Sequence, residues 1–133
     1  MRNFDNDTLN VINAFENMTG SEVRDCICCD VVYFLLNPGK IAKTIGKNGK
    51  NIKSAERTLG KPIKVFEWSE DETEFIKNMV GKVVKIEIKD EKATVTVNQE
   101  NRGAVIGKDG INIKAIREFL IRNSTIKELK LLP

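Results

Sequence analysis

The chain has 133 residues, 41% of them hydrophobic and 31% charged, with a net charge of +3. That is enough apolar material for one ordinary domain or two very small ones, and no apolar run approaches the ~18 residues that span a membrane. The chain has no histidine, so the commonest general base and the usual nucleophilic triads are missing.

The opening MRNFDNDTLN is polar and acidic, unlike a signal peptide, and a cytoplasmic protein is expected. Leu9, Ile12 and Phe15 then mark one face of a helix that stops near Thr19-Gly20. Strands are expected around 23–28 and 31–36. Cys26, Cys28 and Cys29 fall in and just after the first, and their odd number argues against a disulfide framework. A metal site needs four soft ligands, or three and a histidine. In a strand Cys28 and Cys29 would also point to opposite faces. They read as structural thiols, with no metal and no cofactor.

Pro38 and Gly39 break the chain before a short helix over 40–44. The stretch IGKNGKNIK follows, and then Ile52, Ala55 and Leu59 mark the buried face of a longer helix. Gly60 and Pro62 end that helix, and IKVFEW reads as a third strand.

Ser69 and Glu72 have the spacing of a capping box, opening a helix with Phe75, Ile76, Met79 and Val80 on one face. Gly81 ends it. Val84, Ile86 and Ile88 alternate with charge, as in a half-buried strand, and Asp90-Glu91 makes the turn into KATVTVN. A short helix over 100–105, a second glycine loop, a helix with Ile113, Ile116 and Leu120, and a strand from Ile126 complete the chain.

The second half repeats the first. IGKNGKNIK returns as IGKDGINIK, identical at seven of nine positions with a shift of 61 residues. The same shift brings Met18, Gly20 and Asn37 onto Met79, Gly81 and Asn98, a match without a gap. The fold class is therefore α+β, in two units of order α-β-β-α-loop-α-β, covering residues 1–68 and 69–133.

A nucleotide-hydrolysing P-loop, G-x-x-x-x-G-K-[ST], fails at every register. The leading glycine would fall on Ile41, Thr44 or Arg102, and Asn48 and Asn51 stand where the magnesium-binding hydroxyl is needed. What remains is G-x-x-G between two helices, twice. Glycines let a backbone approach closely with positive φ, and the following helix directs its N–H groups and positive dipole end at the loop. Such a turn suits an extended phosphate chain. Charge supports this: residues 39–57 carry a balance of +5 and residues 101–117 one of +3, leaving −5 for the rest. The eight aromatic residues form no run of the kind that stacks bases on an RRM sheet.

Gly46-Lys47-Asn48-Gly49 and Gly107-Lys108-Asp109-Gly110, each in an α-β-β-α-α-β unit, resemble the signature loop of type II K homology (KH) domains. A tandem pair so closely joined is most similar to the archaeal NusA-like transcription termination and antitermination factors. The resemblance implies that single-stranded RNA lies between the loop and a sheet edge, with each loop contacting the backbone of about four nucleotides. Gly46, Lys47, Asn48 and Gly49 would grip phosphates in the first unit, and Gly107, Lys108, Asp109 and Gly110 in the second. Lys43, Lys50, Lys53 and Arg57, with Arg102, Asn112 and Lys114, complete the candidate set. Ile45, Ile52, Ile106 and Ile113 would support the loops or floor the groove. Asp109 repels phosphate and Ile111 stands where the first loop has Lys50, so the first unit is expected to supply more electrostatic affinity.

The resemblance further implies RNA polymerase or a transcription complex as the larger partner; the residues themselves lead to the expectation of no membrane, a monomer and no catalysis. A KH protein of ribosome assembly or of the small subunit is an open second reading. An enzyme acting on nucleotides or RNA is a third, which the missing P-loop residues and histidine disfavour.

Overall fold

The computed structural model describes residues 5–133; residues 1–4, part of the polar opening discussed above, lie outside the described residues. The chain divides into two compact units, parting between Glu67 and Trp68. The sequence reading placed Trp68 at the end of the first unit. In the structure its indole N–H donates to the carbonyl of Asn123 at 2.9 Å, within the second.

In the first unit the order is α1 (Asn6–Thr19), β1 (Val23–Cys28), β2 (Val32–Leu36), α2 (Ile41–Ile45), α3 (Lys50–Leu59) and β3 (Ile63–Glu67). The Asp5 carboxylate caps α1, accepting from the Thr8 N–H at 2.7 Å, and Gly20 ends it at φ 69°. The sheet order is β1-β2-β3, with β1 antiparallel and β3 parallel to β2. Two parallel neighbours need a crossover, and α2, the loop and α3 supply it. The core is Ile12, Phe15, Cys26, Val32, Phe34, Leu36 and Ala55, with Phe15 stacked on Phe34 at 3.7 Å between centroids. Two carboxylates tie helices to strands: Glu16 accepts from the Val23 N–H at 2.7 Å, and Glu56 from the Ile63 N–H at 2.9 Å.

The second unit repeats this with α4 (Glu72–Val80), β4 (Lys85–Lys89), β5 (Lys92–Thr96), α5 (Gln99–Ile106), α6 (Ile111–Asn123) and β6 (Glu128–Leu132). Its sheet order is β4-β5-β6, with the same directions. Phe75, Ile76, Ala93, Val95, Ile116, Phe119 and Leu120 are buried at its centre.

Several local expectations are overturned. Ser69 and Glu72 form no capping box. The N-cap is Asp71, whose carboxylate accepts from the N–H groups of Thr73 and Glu74. An ionised acceptor makes a stronger hydrogen bond there than a hydroxyl. Glu72 instead accepts from both the N–H and the hydroxyl of Thr125, each at 2.6 Å, fastening the start of α4 to the chain entering β6. Leu9, expected on the buried face of α1, is 40% exposed. The first strand, by contrast, keeps its expected bounds, and Cys29 follows it in the hairpin, where its thiol donates to the Val31 carbonyl at 3.0 Å.

The repeat is also not gapless in three dimensions. β1 carries a bulge between Val23 and Asp25, which shifts its register against β2. Cys26 pairs with Phe34 and Ile86 with Val95, so Cys26 corresponds in space to Ile86 and not to Glu87. Finally, β4 is an edge strand whose alternation is only weakly buried, with Val84 61% and Ile88 38% exposed.

Candidate nucleic-acid interface

Each glycine loop is one turn of 3-10 helix set between two α-helices, Lys47–Gly49 in the first unit and Lys108–Gly110 in the second. Their backbones agree almost angle for angle. Gly46 has φ 79° and ψ 171°, Asn48 φ 55° and ψ 27°, and Gly49 φ 72° and ψ 17°. Gly107 has φ 77° and ψ 173°, Asp109 φ 57° and ψ 23°, and Gly110 φ 75° and ψ 14°. The first glycine of each loop sits where only glycine is at home, and the second in the left-handed helical region. The residue between them is Asn or Asp, the side chains that best tolerate positive φ.

A second reason for glycine is space. A Cβ on Gly46 would lie 2.8 Å from Asn51 Cγ and 3.1 Å from the Asn51 backbone nitrogen. On Gly107 it would lie 2.8 Å from Asn112 Cβ and 3.0 Å from the Asn112 nitrogen. The asparagines pressed against these glycines also bridge back across the loop. Asn51 donates its amide to the Lys43 carbonyl at 3.1 Å, and Asn112 to that of Val105 at 2.9 Å. Asn112, taken above as an RNA contact, is buried and braces the loop from inside. Asn51 was passed over in the sequence, although its recurrence in the N-I-K after each second glycine was the available signal.

Basic side chains gather on the first loop. Lys50, Lys53 and Arg57 lie at i, i+3 and i+7 on α3, one helix face. With Lys47 and Asn48 they line an open groove of about 480 Å³. The Lys53 stem passes 3.8 Å from the Cβ position of Gly49, beside the loop, and the Lys114 stem does the same at Gly110. Lys43 does not join them: its side chain reaches back over Gly20 at the end of α1. Ile45, Ile52 and Ile106 are half-buried and Ile113 is buried, under the helices that carry the loops.

The second unit is poorer in charge. The positions of Lys50, Lys53 and Arg57 are taken by Ile111, Lys114 and Glu118, and Glu118 pairs with Arg122 at 3.0 Å. Arg117, exposed overall, donates its Nε–H to the Leu129 carbonyl at 3.2 Å. Arg102, another candidate, is half-buried on α5, its Nε screened from water without an internal acceptor. Lys108 and Asp109 remain exposed at the loop.

Two three-stranded α+β units, each with a glycine loop between helices on the crossover, define a tandem type II KH protein, a class of RNA-binding modules. In agreement, the family model described as KH domain matches residues 71–127, within the second unit. The chain is 32% identical over 128 residues to the "Probable transcription termination protein NusA" of Methanocaldococcus jannaschii, a match covering 91% of this chain and 70% of that one. It is 36% identical over 126 residues to the protein of the same name from Methanococcus vannielii, covering 90% and 73%. Among solved structures, the crystal structure of APE1850 superposes with a TM-score of 0.73 at 28% identity, over 92% of this chain and 96% of that one. The chain belongs to the archaeal NusA family. No helix among the described residues is long and apolar enough to cross a membrane.

Proposed function

We propose that this protein binds single-stranded RNA through both glycine loops and acts on transcription, at termination or antitermination. The observation that carries the binding mode is the recurrence of one loop geometry, each copy opening onto a helix N-terminus. The backbone approaches where glycine leaves room, N–H groups and the helix dipole favour phosphate, and Lys47, Lys50, Lys53 and Arg57 supply counter-charge in the first unit. Asn51 and Asn112 shape the loops without themselves reaching the strand. The second unit contributes register and contact more than charge, because Asp109, Ile111 and Glu118 dilute its field. The match to the KH domain and the names of the relatives favour a binding over a catalytic reading.

The transcriptional role rests on the names carried by the relatives; a ribosomal role would use the same loops. The test is to change Lys47 and Asn48 to Asp together with Lys108→Asp, and to titrate single-stranded RNA at two salt concentrations. Asp109 already occupies the left-handed position equivalent to Asn48, so Asn48→Asp should not disturb the backbone. Weaker binding with a shallower salt dependence is expected, since fewer counterions are released. Unchanged affinity would sink the phosphate grip. Recovery of the tagged protein with elongating polymerase, and not with pre-ribosomal particles, would support the transcriptional assignment.

A further inference from the structure

Two of the large apolar side chains left exposed among the described residues, Val84 and Ile88, stand on or next to a single edge strand, β4. We propose that β4 pairs antiparallel with β4 of a second copy of this chain, joining two three-stranded sheets into one of six strands about a two-fold axis at Ile86.

The register follows from the hairpin. Asp90 and Glu91 both have positive φ, at 51° and 65°, which is the two-residue turn that matches the twist of a hairpin. Lys89 and Lys92 are its closing pair, and in such a hairpin they exchange hydrogen bonds. By alternation, Glu87 and Lys85 also direct their N–H and C=O groups at β5, while Ile86 and Ile88 direct theirs to the open edge. A second strand can therefore dock only on Ile86 and Ile88, since the Val84 N–H is given to the Thr96 carbonyl. Centring the pair on Ile86 satisfies this and sets Ile86 against Ile86 of the second copy.

The side chains agree with that register. The Val84 N–H donates to the Thr96 carbonyl of β5 at 2.8 Å, so Val84 stays outside the pairing and the apolar contact across the axis is Ile86 against Ile86, with Ile88 at its margin. Lys85 falls opposite Glu87 of the second copy at the closely spaced, non-hydrogen-bonded pair, where cross-strand charges interact most. Within one chain these two already pair at 2.6 Å, both largely exposed. Across the axis they make a cluster of four alternating charges. The interface is isologous, as a two-fold requires.

The corresponding strand of the first unit is not open in this way. β1 has the bulge between Val23 and Asp25, buries Asp25, and ties Arg24 to Asn37 at 3.1 Å. Bulges and inward charges are the usual means of blunting an edge, and β4 has neither between Lys85 and Lys89. Pairing of one five-residue strand buries little area, placing the dimer among weak, concentration-dependent interfaces. This departs from the monomer expected from the sequence.

Sedimentation equilibrium of the full chain from micromolar to millimolar concentration tests it, with amide exchange as a second readout. Reversible dimerisation is expected, with the Ile86 amide slowing as concentration rises while that of Glu87, facing β5, does not change. Lys85→Glu sets carboxylates face to face twice across the axis and should weaken association about tenfold or more. The double exchange Lys85→Glu with Glu87→Lys should restore it. Ile86→Pro removes an outward N–H that β5 does not use, and should abolish the dimer while circular dichroism shows the fold retained. A chain that stays monomeric throughout, or a dimer indifferent to both Lys85→Glu and Ile86→Pro, overturns the proposal. So does pairing of this edge with an unrelated polypeptide in preference to a second copy.

Discussion

Asn51 lies in the space that a Cβ on Gly46 would need, its Cγ 2.8 Å from that point, while its amide donates to the Lys43 carbonyl across the loop. The glycine and the asparagine are thus one device, which recurs as Gly107 with Asn112. The missing side chain allows the brace, and the brace fixes the loop backbone.

The two glycines of a loop should therefore not be equally replaceable. Gly46→Ala meets both a glycine-only backbone region and the Asn51 backbone, and should cost about 1–3 kcal/mol and lower RNA affinity more than tenfold. Gly49→Asn keeps a conformation that Asn48 next to it already adopts, with only the Lys53 stem near its Cβ. Thermal melts and RNA titrations of the two variants should separate them clearly; equal losses would contradict this account.

Ile111 stands where the first loop has Lys50. Ile111→Lys should tighten binding a few-fold and steepen the plot of log affinity against log salt by about 0.7, the value for one added phosphate contact on a single strand. Lys50→Ile should do the reverse. Matching slopes for the two variants and the unaltered chain would show that these positions do not face the RNA backbone.

Glu72 takes two hydrogen bonds from Thr125, both at 2.6 Å, although the positions are 53 residues apart. Glu72→Ala should lower the stability of the second unit by about 1–2 kcal/mol, the usual worth of hydrogen bonds to a charged acceptor at a partly exposed site. Faster amide exchange confined to residues 68–133 is the expected signature, with the first unit unaffected.

Hydrogen bonding from Thr8 holds the Asp5 carboxyl below its ordinary value of 3.8. Because the folded group is the stronger acid, its cap stabilises α1 above the unfolded value, and that support is lost as pH falls through the folded value. The Thr8 amide signal should follow the protonation of Asp5 in an NMR titration. Asp5→Asn should keep the cap and remove the pH dependence; Asp5→Ala should fray the first turn at all pH values.

Much of the site was legible from local patterns, because both loops depend on residues that are neighbours in the chain. Glycines at a fixed spacing, a following helix and a surplus of lysines need no tertiary knowledge to be noticed. Which lysines serve the loop was not legible. Lys43 and Lys50 look alike in sequence, yet one lies over Gly20 and the other lines the groove, and only the packing of α1 against the crossover helices decides between them. Asn112 looked available and is used internally, for the same reason.

By itself the sequence determined the repeat, the element order, the glycine loops and their charge, since periodicity, turn residues and like-charged runs are short-range properties. Tertiary structure alone decided the rest. A single bulge in β1 moves Cys26 into the place that Ile86 takes in the second unit, and it leaves β1 blunted while β4 stays regular and open. A strand buries its alternate residues only where something packs on them, and edge position is a property of the sheet that no strand carries in its own sequence.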